Sequence, residues 1–213
     1  MNIFIIGGTS GIGLALASYY HLQGNRVGVC GRDLQKLTDE SRFEKYQADV
    51  TNIVQLQNVI QQFAGERALS LLINCAGSYA EDVADEISYE EAVAMLQTNI
   101  MGAVNCLEVG RKAMCHTGGQ IVLLASISGI LDYPESSLYT KTKRSVIQIA
   151  DAYRRALRRY GIAITTIAPG YVDTQKLRDL NHNDLSKKPF LVTEAQAVSE
   201  ITQAITQKKA LLL

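Results

Sequence analysis

Short apolar runs alternate with longer amphipathic stretches along nearly the whole chain, and this alternation constrains the fold more than any other feature. Two of the runs, Leu71–Ile73 and Ile121–Leu124, are apolar at every position, as strands are when helices cover both faces of their sheet. Such alternation is typical of a parallel sheet with helices on both faces. No linker, repeat or low-complexity segment interrupts it. We therefore predict a single α/β domain over residues 1–213, built on a doubly wound parallel sheet.

The β-branched runs are the predicted strands, and the amphipathic stretches between them are the predicted helices. Strands are expected over Asn2–Ile6, Arg26–Cys30, Phe43–Ala48, Ser70–Asn74, Gly119–Ser126 and Ile162–Ala168. Helices are expected over Gly11–Gln23, Asp33–Ser41, Ile53–Gly65, Tyr89–Thr117, Ser136–Tyr160 and Thr193–Gln207, followed by the short run Ala210–Leu213. The segment Gln175–Phe190 lacks a clear pattern and predicts a loop over the substrate. Because ligands of doubly wound sheets bind beyond the carboxyl ends of the strands, the residues after each strand are the candidates for function.

Composition narrows the class of function. The chain has 21 basic and 21 acidic side chains and no net charge, which argues against binding to nucleic acid or to an anionic membrane surface. No apolar run approaches the roughly 20 residues of a membrane span, and the apolar N-terminus lacks the basic region of a signal peptide. The four cysteines are scattered without a CxxC pair. We therefore expect reduced thiols in a cytoplasmic protein and no metal site.

A glycine cluster follows the first predicted strand. Residues 6–13 read Ile-Gly-Gly-Thr-Ser-Gly-Ile-Gly, a GxxxGxG spacing. Gly7, Gly11 and Gly13 can provide a tight turn, close approach of a diphosphate and close packing of helix on strand, and the following helix N-terminus favours an anion. A tight strand-to-helix turn without a ligand would have the same composition. The position of the cluster at the start of an alternating chain favours nucleotide binding.

A second group of residues follows the later strands. Tyr139 and Lys143 lie four positions apart and therefore share one face of a helix. Alone, this pair is typical of an exposed helical surface. Ser126, however, ends the fifth predicted strand, residues 74–77 (Asn-Cys-Ala-Gly) end the fourth, and Asn99 lies in the long helical segment between them.

In this order, the residues resemble the short-chain dehydrogenase/reductase family over nearly the whole chain, which implies a Rossmann-type sheet. The matching elements are Gly7-x-x-x-Gly11-Ile12-Gly13, Asp49-Val50, Asn74-Cys75-Ala76-Gly77, Asn99, Ser126, Tyr139-x-x-x-Lys143 and Pro169-Gly170-x-Val172-x-Thr174. Two positions depart from the family pattern. Ile6 stands where the family usually has Thr, and Cys75 where it usually has a second Asn.

The resemblance implies the catalytic residues Asn99, Ser126, Tyr139 and Lys143. Tyr139 would transfer the proton, Ser126 would donate a hydrogen bond to the substrate oxygen, and Asn99 would hold a water that relays protons to Lys143. Lys143 would also bind the nicotinamide ribose. Because a phenol has a reference pKa near ~10, we expect the Lys143 ammonium and an oxidised nicotinamide to lower the pKa of Tyr139.

The resemblance also implies a nicotinamide dinucleotide. Asp49 would contact the adenine, although a turn or helix-cap role would explain this aspartate equally, and Pro169-Gly170-Tyr171-Val172 would hold the carboxamide. The residues expected to bind the cofactor are Gly7, Thr9, Ser10, Gly11, Ile12, Gly13, Arg32, Asp49, Val50, Asn74, Ala76, Gly77, Tyr139, Lys143, Pro169, Gly170, Val172 and Thr174.

The end of the second predicted strand favours NADP(H) over NAD(H). NAD-preferring relatives usually carry an Asp there, bonded to the ribose hydroxyls. Here the position is Gly31, which has no carboxylate to repel a 2′-phosphate, and Arg32 can pair with one. Asp33 leaves NAD(H) possible, since a shift of one residue would bring it near the ribose.

The expected function is therefore that of a carbonyl reductase, which interconverts a small or medium ketone or aldehyde and its alcohol. Ser78, Tyr79, Ile127, Tyr133, Tyr171 and the 175–190 loop would line the substrate pocket. By resemblance the helices Tyr89–Thr117 and Ser136–Tyr160 pair in a homodimer, and the short end at Leu213 favours a dimer over a tetramer.

Two alternatives stay open at this point. A nucleotide-binding regulatory or signalling protein of the same fold, with weak or no turnover, is the first, although such a protein would be expected to lack Tyr139 or Lys143. A sugar-nucleotide epimerase is the second, and the glycine spacing and the absence of room for a substrate domain disfavour it.

Overall fold

The computed structural model describes residues 1–37, 42–79, 87–131 and 136–213. Its strands, in chain order, are β1 (Asn2–Ile6), β2 (Arg26–Gly31), β3 (Glu44–Gln47), β4 (Leu71–Asn74), β5 (Gly119–Leu124), β6 (Ile162–Ile167), β7 (Val172–Asp173), β8 (Val192–Thr193) and β9 (Leu211–Leu212). Seven strands form a parallel sheet in the order β3-β2-β1-β4-β5-β6-β9, and β7 pairs with β8 separately. The predicted doubly wound parallel sheet is confirmed.

Helices lie in most of the connections between the strands of the large sheet. They are α1 (Gly11–Leu22), α2 (Ile53–Ala64), α3 (Tyr89–Leu96), α4 (Gly102–Met114), α5 (Leu138–Leu157), α6 (Gln175–Leu180) and α7 (Glu194–Thr206). A π-helical turn, Gln97–Met101, joins α3 to α4, and short 3₁₀ turns occupy Ile127–Gly129 and Arg158–Tyr160. Most predicted elements are found within two or three residues of their expected ends.

Alternate side chains of each central strand pack into separate cores on the two faces of the sheet. In β1, Ile3 and Ile5 face a core that includes Leu16 of α1, whereas Phe4 packs on the opposite face against Phe63 of α2. All of these side chains are fully buried. Because both faces are covered, the central strands carry apolar residues without interruption.

The order of the strands places the turn after β1 beside the turns after its two neighbours. Ile6 is paired with Cys30 of β2 and with Asn74 of β4. The chain runs outward from β1 through β2 to β3, then crosses to β4 on the other side of β1 and runs outward again through β5 and β6 to β9, so its direction across the sheet reverses between β1 and β4. This reversal is the usual ligand-binding position in an open α/β sheet.

The predicted helix Asp33–Ser41 is wrong over its described part, since residues 33–37 contain no helix. The Asp33 carboxylate accepts a hydrogen bond from the Gln35 amide, and the Leu37 amide donates to Leu34. An aspartate side chain that caps its own turn competes with helix formation. The rest of that segment, 38–41, lies outside the described residues.

The C-terminal third differs from the prediction in two details. The segment Gln175–Phe190 begins with helix α6, which the Thr174 side chain caps. The small β7–β8 pair brackets this segment and was not predicted. Within the residues that the structure describes, no helix has both the length and the apolar character to cross a bilayer.

Candidate active site

The glycine turn after β1 lies at the carboxyl edge of the sheet, with Ala76 of the loop after β4 and Thr174 of the connection after β6 beside it, and we call the space between these three connections the cleft. Gly7 has a left-handed φ of +73°, and a Cβ on it would lie 2.6 Å from the Ala76 amide nitrogen. A Cβ on Gly13 would lie 2.3 Å from the Gly7 carbonyl oxygen. Neither position therefore accepts a side chain without moving backbone. The turn accordingly brings the backbone of the first connection against the backbone of the fourth.

The start of α1 faces the cleft. Gly11 has a φ of +50°, and the nearest atom to a Cβ on it is a Thr174 methyl at 3.6 Å. The extended Ser10 is the N-cap, yet its side chain accepts no hydrogen bond from the first turn. The Gly7 and Gly8 amides donate to the Cys30 carbonyl at 2.8 and 3.2 Å. The backbone therefore braces the turn although Ile6 replaces the usual Thr.

At the end of β2, the space beside Gly31 is already occupied by a neighbouring side chain. A Cβ on Gly31 would lie 2.8 Å from both the methyl and the hydroxyl of Thr9, and Thr9 is itself buried. Arg32 and Lys36, directly beyond, are exposed. Because residue 31 is a glycine, it presents no carboxylate at this place and leaves room for the Thr9 side chain.

Asp49 takes up the turn role that the sequence left open. Its carboxylate accepts hydrogen bonds from the amide and hydroxyl of Thr51, both at 2.9 Å, and Asn52 rather than Asp49 caps α2. Val50 is buried and packs closely against Gly102, since a Cβ on Gly102 would lie 2.9 Å from the Val50 side chain. The adenine contact of Asp49 stays a prediction.

The loop after β4 joins the glycine turn to the catalytic candidates. The side-chain carbonyl oxygen of Asn74 accepts a hydrogen bond from the Ala76 amide at 3.0 Å. A Cβ on Gly77 would lie 3.3 Å from Lys143 Nζ and 3.6 Å from Asn99 Oδ1. Burial raises the pKa of the Cys75 thiol to about 12, so this unusual residue stays a neutral thiol.

Ser126, Tyr139 and Lys143 meet at the end of β5. The Tyr139 hydroxyl is hydrogen-bonded with the Ser126 side chain. Lys143 is 5% exposed, and its Nζ donates to the Leu124 carbonyl at 3.0 Å and lies 5.7 Å from the centroid of the Tyr139 ring. The Ser126 hydroxyl also accepts from the amide and hydroxyl of Ser128, at 3.2 and 2.9 Å. Ser126 and the Tyr139-x-x-x-Lys143 pair, which the sequence predicts as two separate elements, therefore share one site.

The two titrating groups of this site are both held against their charged forms. Burial raises the pKa of Tyr139, an effect that the hydrogen bond with Ser126 opposes and the neighbouring Tyr79 increases. Burial first, and the charge of Lys176 second, lower the pKa of Lys143 to about 8. Burial outweighs the other influences on this phenol, and the Lys143 ammonium is directed at the Leu124 carbonyl. The lowering of the Tyr139 pKa by Lys143 together with an oxidised nicotinamide stays a prediction.

The π-helical turn between α3 and α4 places Asn99 beneath the site. The buried Asn99 amide donates to the Ser78 carbonyl at 2.9 Å and to the Thr142 hydroxyl at 3.0 Å, and its oxygen accepts from the Ser78 amide at 2.8 Å. Thr142 in turn donates to the Tyr139 carbonyl at 2.7 Å. π-bulges frequently mark functional positions. Asn99 therefore braces the loop after β4 against α5, and its water-relay role stays a prediction.

The substrate candidates are only partly brought together. The exposed Tyr79 meets the Tyr139 ring edge-on, with 5.1 Å between ring centroids. The Ile127 amide donates to the Pro169 carbonyl at 2.9 Å, which joins the connections after β5 and β6. Tyr171 lies under the Lys188 amine at 5.2 Å. Tyr133 lies outside the described residues.

The remaining cofactor candidates follow β6. Pro169 is half-buried, Gly170 is exposed with nothing within 4 Å of an added Cβ, and Val172 is buried in β7. Thr174 caps α6 and reaches the space above Gly11. This connection therefore forms the wall of the cleft opposite the loop after β4.

Sequence reasoning missed three residues that the structure places in or beside the cleft. Thr142 lies between Tyr139 and Lys143 in the sequence, and its position on the predicted helix was the signal that could have placed it near Asn99. Lys176, two residues after Thr174, donates from Nζ to the Gly77 carbonyl at 3.1 Å. Lys36 contributes a positive charge that reaches Lys176. Lys176 lies in the 175–190 segment predicted to cover the substrate, but its spacing does not single it out there, and no motif contains Lys36.

The cleft fits an elongated ligand that carries phosphate groups. Gly7 and Gly13 form a cradle that any side chain would fill, and the first turn of α1 faces it. Arg32, Lys36, Lys143 and Lys176 form no ion pair with the residues that the structure describes. A diphosphate at the cradle and a phosphate near Arg32 would match these features. Among the described residues, no group of side chains could hold a metal ion.

Comparison with known proteins indicates which family the chain resembles. A family model described as short chain dehydrogenase matches residues 1–185. An uncharacterized oxidoreductase of Staphylococcus aureus (strain USA300) is 30% identical over 217 aligned residues, which cover 96% of this chain and 90% of that protein. Another, from Staphylococcus haemolyticus, is 33% identical over 178 residues, which cover 80% and 77%.

Solved structures agree with the family model. ElxO with NADP bound has a TM-score of 0.86 at 27% identity, and the match covers 98% of this chain and 92% of that one. A short-chain dehydrogenase from Burkholderia cenocepacia in complex with NADP has a TM-score of 0.84 at 21% identity over 99% and 86% of the chains, a likeness of fold. The chain therefore belongs to the short-chain dehydrogenase/reductase family of oxidoreductases, and its sheet is the Rossmann fold of that family.

Proposed function

We propose that the protein transfers a hydride between NADP(H) and a carbonyl or alcohol substrate, with Tyr139 as the general acid and base. The observation that carries the proposal is the meeting of Ser126, Tyr139 and Lys143 beside Gly77, at the end of a cleft whose floor is the Gly7 turn. The reduction of a carbonyl requires a hydride donor, a group that polarises the carbonyl oxygen and a proton source, and a bound dinucleotide, Ser126 and Tyr139 can supply these three.

Each side chain has a role that its environment supports. When bound, the dinucleotide supplies or accepts the hydride. The raised pKa of Tyr139 keeps its phenol protonated near neutral pH, so it can donate its proton to the oxygen that becomes the alcohol. The Ser126 hydroxyl donates a hydrogen bond to that oxygen. Lys143, with a pKa of about 8, exchanges its proton near neutrality and can return one to Tyr139. The protonated phenol is the form of Tyr139 that donates the proton when a carbonyl is reduced.

The proposed cofactor is NADPH rather than NADH. Gly31 presents no carboxylate to a 2′-phosphate, and the exposed Arg32 and Lys36 lie beyond it. Arginine pairs with phosphate through two parallel hydrogen bonds. ElxO, which is 27% identical to this chain, was solved with NADP bound.

The proposed substrate is a small or medium ketone or aldehyde, or the matching alcohol. Tyr79 packs edge-on against Tyr139, and Ile127 and Tyr171 line the connections on either side. These side chains are mostly apolar or aromatic. As part of the same proposal we place the protein in the cytoplasm, since all four cysteines are free thiols.

The replacement Tyr139→Phe tests the proposed function. We expect kcat for ketone and aldehyde reduction, followed at the absorbance of reduced nicotinamide, to fall by at least ~10²-fold because the proton donor is lost. The Kd for NADPH should change little. Tyr153→Phe, which removes a hydroxyl from the same helix α5, is the matched control.

Equal and negligible turnover by the wild type and Tyr139→Phe across a broad carbonyl panel, with NADPH still bound, would contradict the proposal. That result would instead favour the nucleotide-binding regulatory alternative.

A further inference from the structure

Lys176 crosses the cleft from the wall formed by α6 to the loop after β4. It stands in the first turn of α6, next to the capping Thr174, whose methyl lies 3.6 Å from the Cβ position of Gly11. Its Nζ donates to the Gly77 carbonyl, 99 residues away, at 3.1 Å. One lysine thus spans the space between the glycine turn and the loop that contacts Lys143.

Lys176 interacts electrostatically with positive charges from two parts of the site. The residue is exposed as a whole, yet partial desolvation of its amine lowers the pKa of Lys176, and the charges of Arg32 and Lys36 lower it further. The charge of Lys176 in turn helps to lower the pKa of Lys143. The electrostatic influence of this amine therefore reaches both the end of β2 and the catalytic candidates.

No acidic group neutralises this row of cations among the described residues. The nearby Asp173 is engaged by Arg178 through two hydrogen bonds of 2.7 and 2.6 Å. The partner of Lys176 is a neutral backbone carbonyl. An ammonium forms stronger hydrogen bonds with a phosphate oxygen than with a neutral carbonyl, so an anion in the cleft would take over this amine.

We propose that Lys176 binds the diphosphate of the dinucleotide, in addition to the cradle formed by the glycine turn. The proposal rests on the proposed function and adds a residue to it. A dinucleotide phosphate cofactor carries its 2′-phosphate at the adenosine end, its diphosphate in the middle and its reacting ring at the other end. Lys176 follows Thr174, which lies over Gly11 of the glycine turn, and its Nζ reaches Gly77 beside Lys143, so it stands between the diphosphate cradle and the residues proposed to face the reacting ring.

Binding measurements with three ligands separate the diphosphate from the other anions. Titration calorimetry would measure the Kd of each ligand, NADPH, NADH and adenosine 2′-monophosphate. The proteins compared are the wild type, Lys176→Met, Lys176→Arg and Arg32→Met. Lys209→Met, which removes an exposed lysine near the C-terminus, is the charge-matched control. Thermal unfolding of each variant without ligand verifies that it folds.

Loss of a hydrogen bond to a charged group predicts Kd values about 10- to 100-fold weaker for Lys176→Met. This loss should be equal for NADPH and NADH, because both contain the diphosphate, and absent for adenosine 2′-monophosphate, which does not. Lys176→Arg should retain most of the affinity. Arg32→Met should instead weaken NADPH and the monophosphate and spare NADH.

Several outcomes would overturn the assignment. Unchanged dinucleotide affinities in Lys176→Met would remove Lys176 from the cofactor site, and a raised KM for substrate with unchanged cofactor Kd would make it a substrate ligand. A loss confined to NADPH and the monophosphate would assign it to the 2′-phosphate. In these cases the proposed function still stands, whereas a wild-type protein that binds neither dinucleotide would overturn both proposals.

Discussion

Lys143 is a buried cation whose charge the fold disfavours. Burial and Lys176 lower its pKa from 10.5 to about 8, so between these pH values the unfolded chain binds more protons than the folded protein. Stability must then rise with pH across this window. Below pH 8 the folded protein therefore holds the Lys143 ammonium at a cost to its free energy of unfolding. We connect this cost with the proposed role of Lys143 beside Tyr139.

The pH dependence of unfolding tests this description of Lys143. At about 1.36 kcal/mol per pKa unit, the lowered pKa corresponds to on the order of 3 kcal/mol. We expect the free energy of unfolding of the wild type, measured with urea, to rise by this amount relative to that of Lys143→Met between pH 7.5 and 10.5. The Lys209→Met variant should show no such divergence. A constant difference between wild type and Lys143→Met would contradict a lowered pKa.

We expect Gly31 to influence the choice of cofactor in two ways, through space and through charge, which a single substitution would not separate. An added Cβ meets Thr9 at 2.8 Å, so any side chain displaces Thr9, and only an acidic one repels a 2′-phosphate. We therefore expect Gly31→Ala to weaken both cofactors alike. Gly31→Asp should lower the ratio of kcat/KM for NADPH to that for NADH at least ~10-fold below the ratio of Gly31→Ala, equivalent to about 1.4 kcal/mol. Equal ratios in the two variants would show that residue 31 does not face the 2′-position.

At the scale of elements, local patterns predict most of the fold and fail where a side chain or a distant contact decides. The central strands are recognisable because both their faces are buried, and α7 because Thr193 and Gln196 form a capping box. The segment after β2 has helical spacing, yet Asp33 turns the chain instead. The β7–β8 pair has only two residues in each strand, too few for any periodicity to appear.

The long segment between β4 and β5 shows what spacing alone leaves out. Its helical character is predicted, but the π turn at Gln97–Met101 is not, because the extra residue is held by contacts outside the helix. Asn99 bonds to Ser78 and Thr142, 21 and 43 residues away. The same limit explains Lys176, whose partner is the Gly77 carbonyl. Ordered motifs identify the reacting groups, and the fold is needed to find what braces and surrounds them.

At the scale of the whole molecule, the parallel sheet brings five separate connections to one edge. The residues of the cleft span Gly7 to Lys176, and they meet because the parallel strands all end on the same side. The β1–β4 reversal places the glycine turn directly beside Ala76. Away from the cleft, the outer face of α4 and the adjoining Met101 of the π turn carry side chains that the described chain covers only in part.

That outer face carries our proposal of a homodimer. Met101 is 50% exposed, Val104 lies half-buried one turn further along, and Glu108 and Arg111 continue the stripe as a pair joined by two hydrogen bonds of 2.9 and 2.7 Å. An apolar centre with a paired polar rim is typical of a protein interface. Light scattering should give twice the 23.3-kDa mass of one chain.

A charge placed at the apolar centre tests which surface forms this dimer. Met101→Glu should shift the mass toward that of one chain, because the carboxylate would lose its hydration in the interface without gaining a partner. Leu22→Glu, which alters a side chain that is 81% exposed at the end of α1, should remain dimeric. A monomeric wild type would refute the dimer, and a dimer that tolerates Met101→Glu as well as Leu22→Glu would move the interface away from α4.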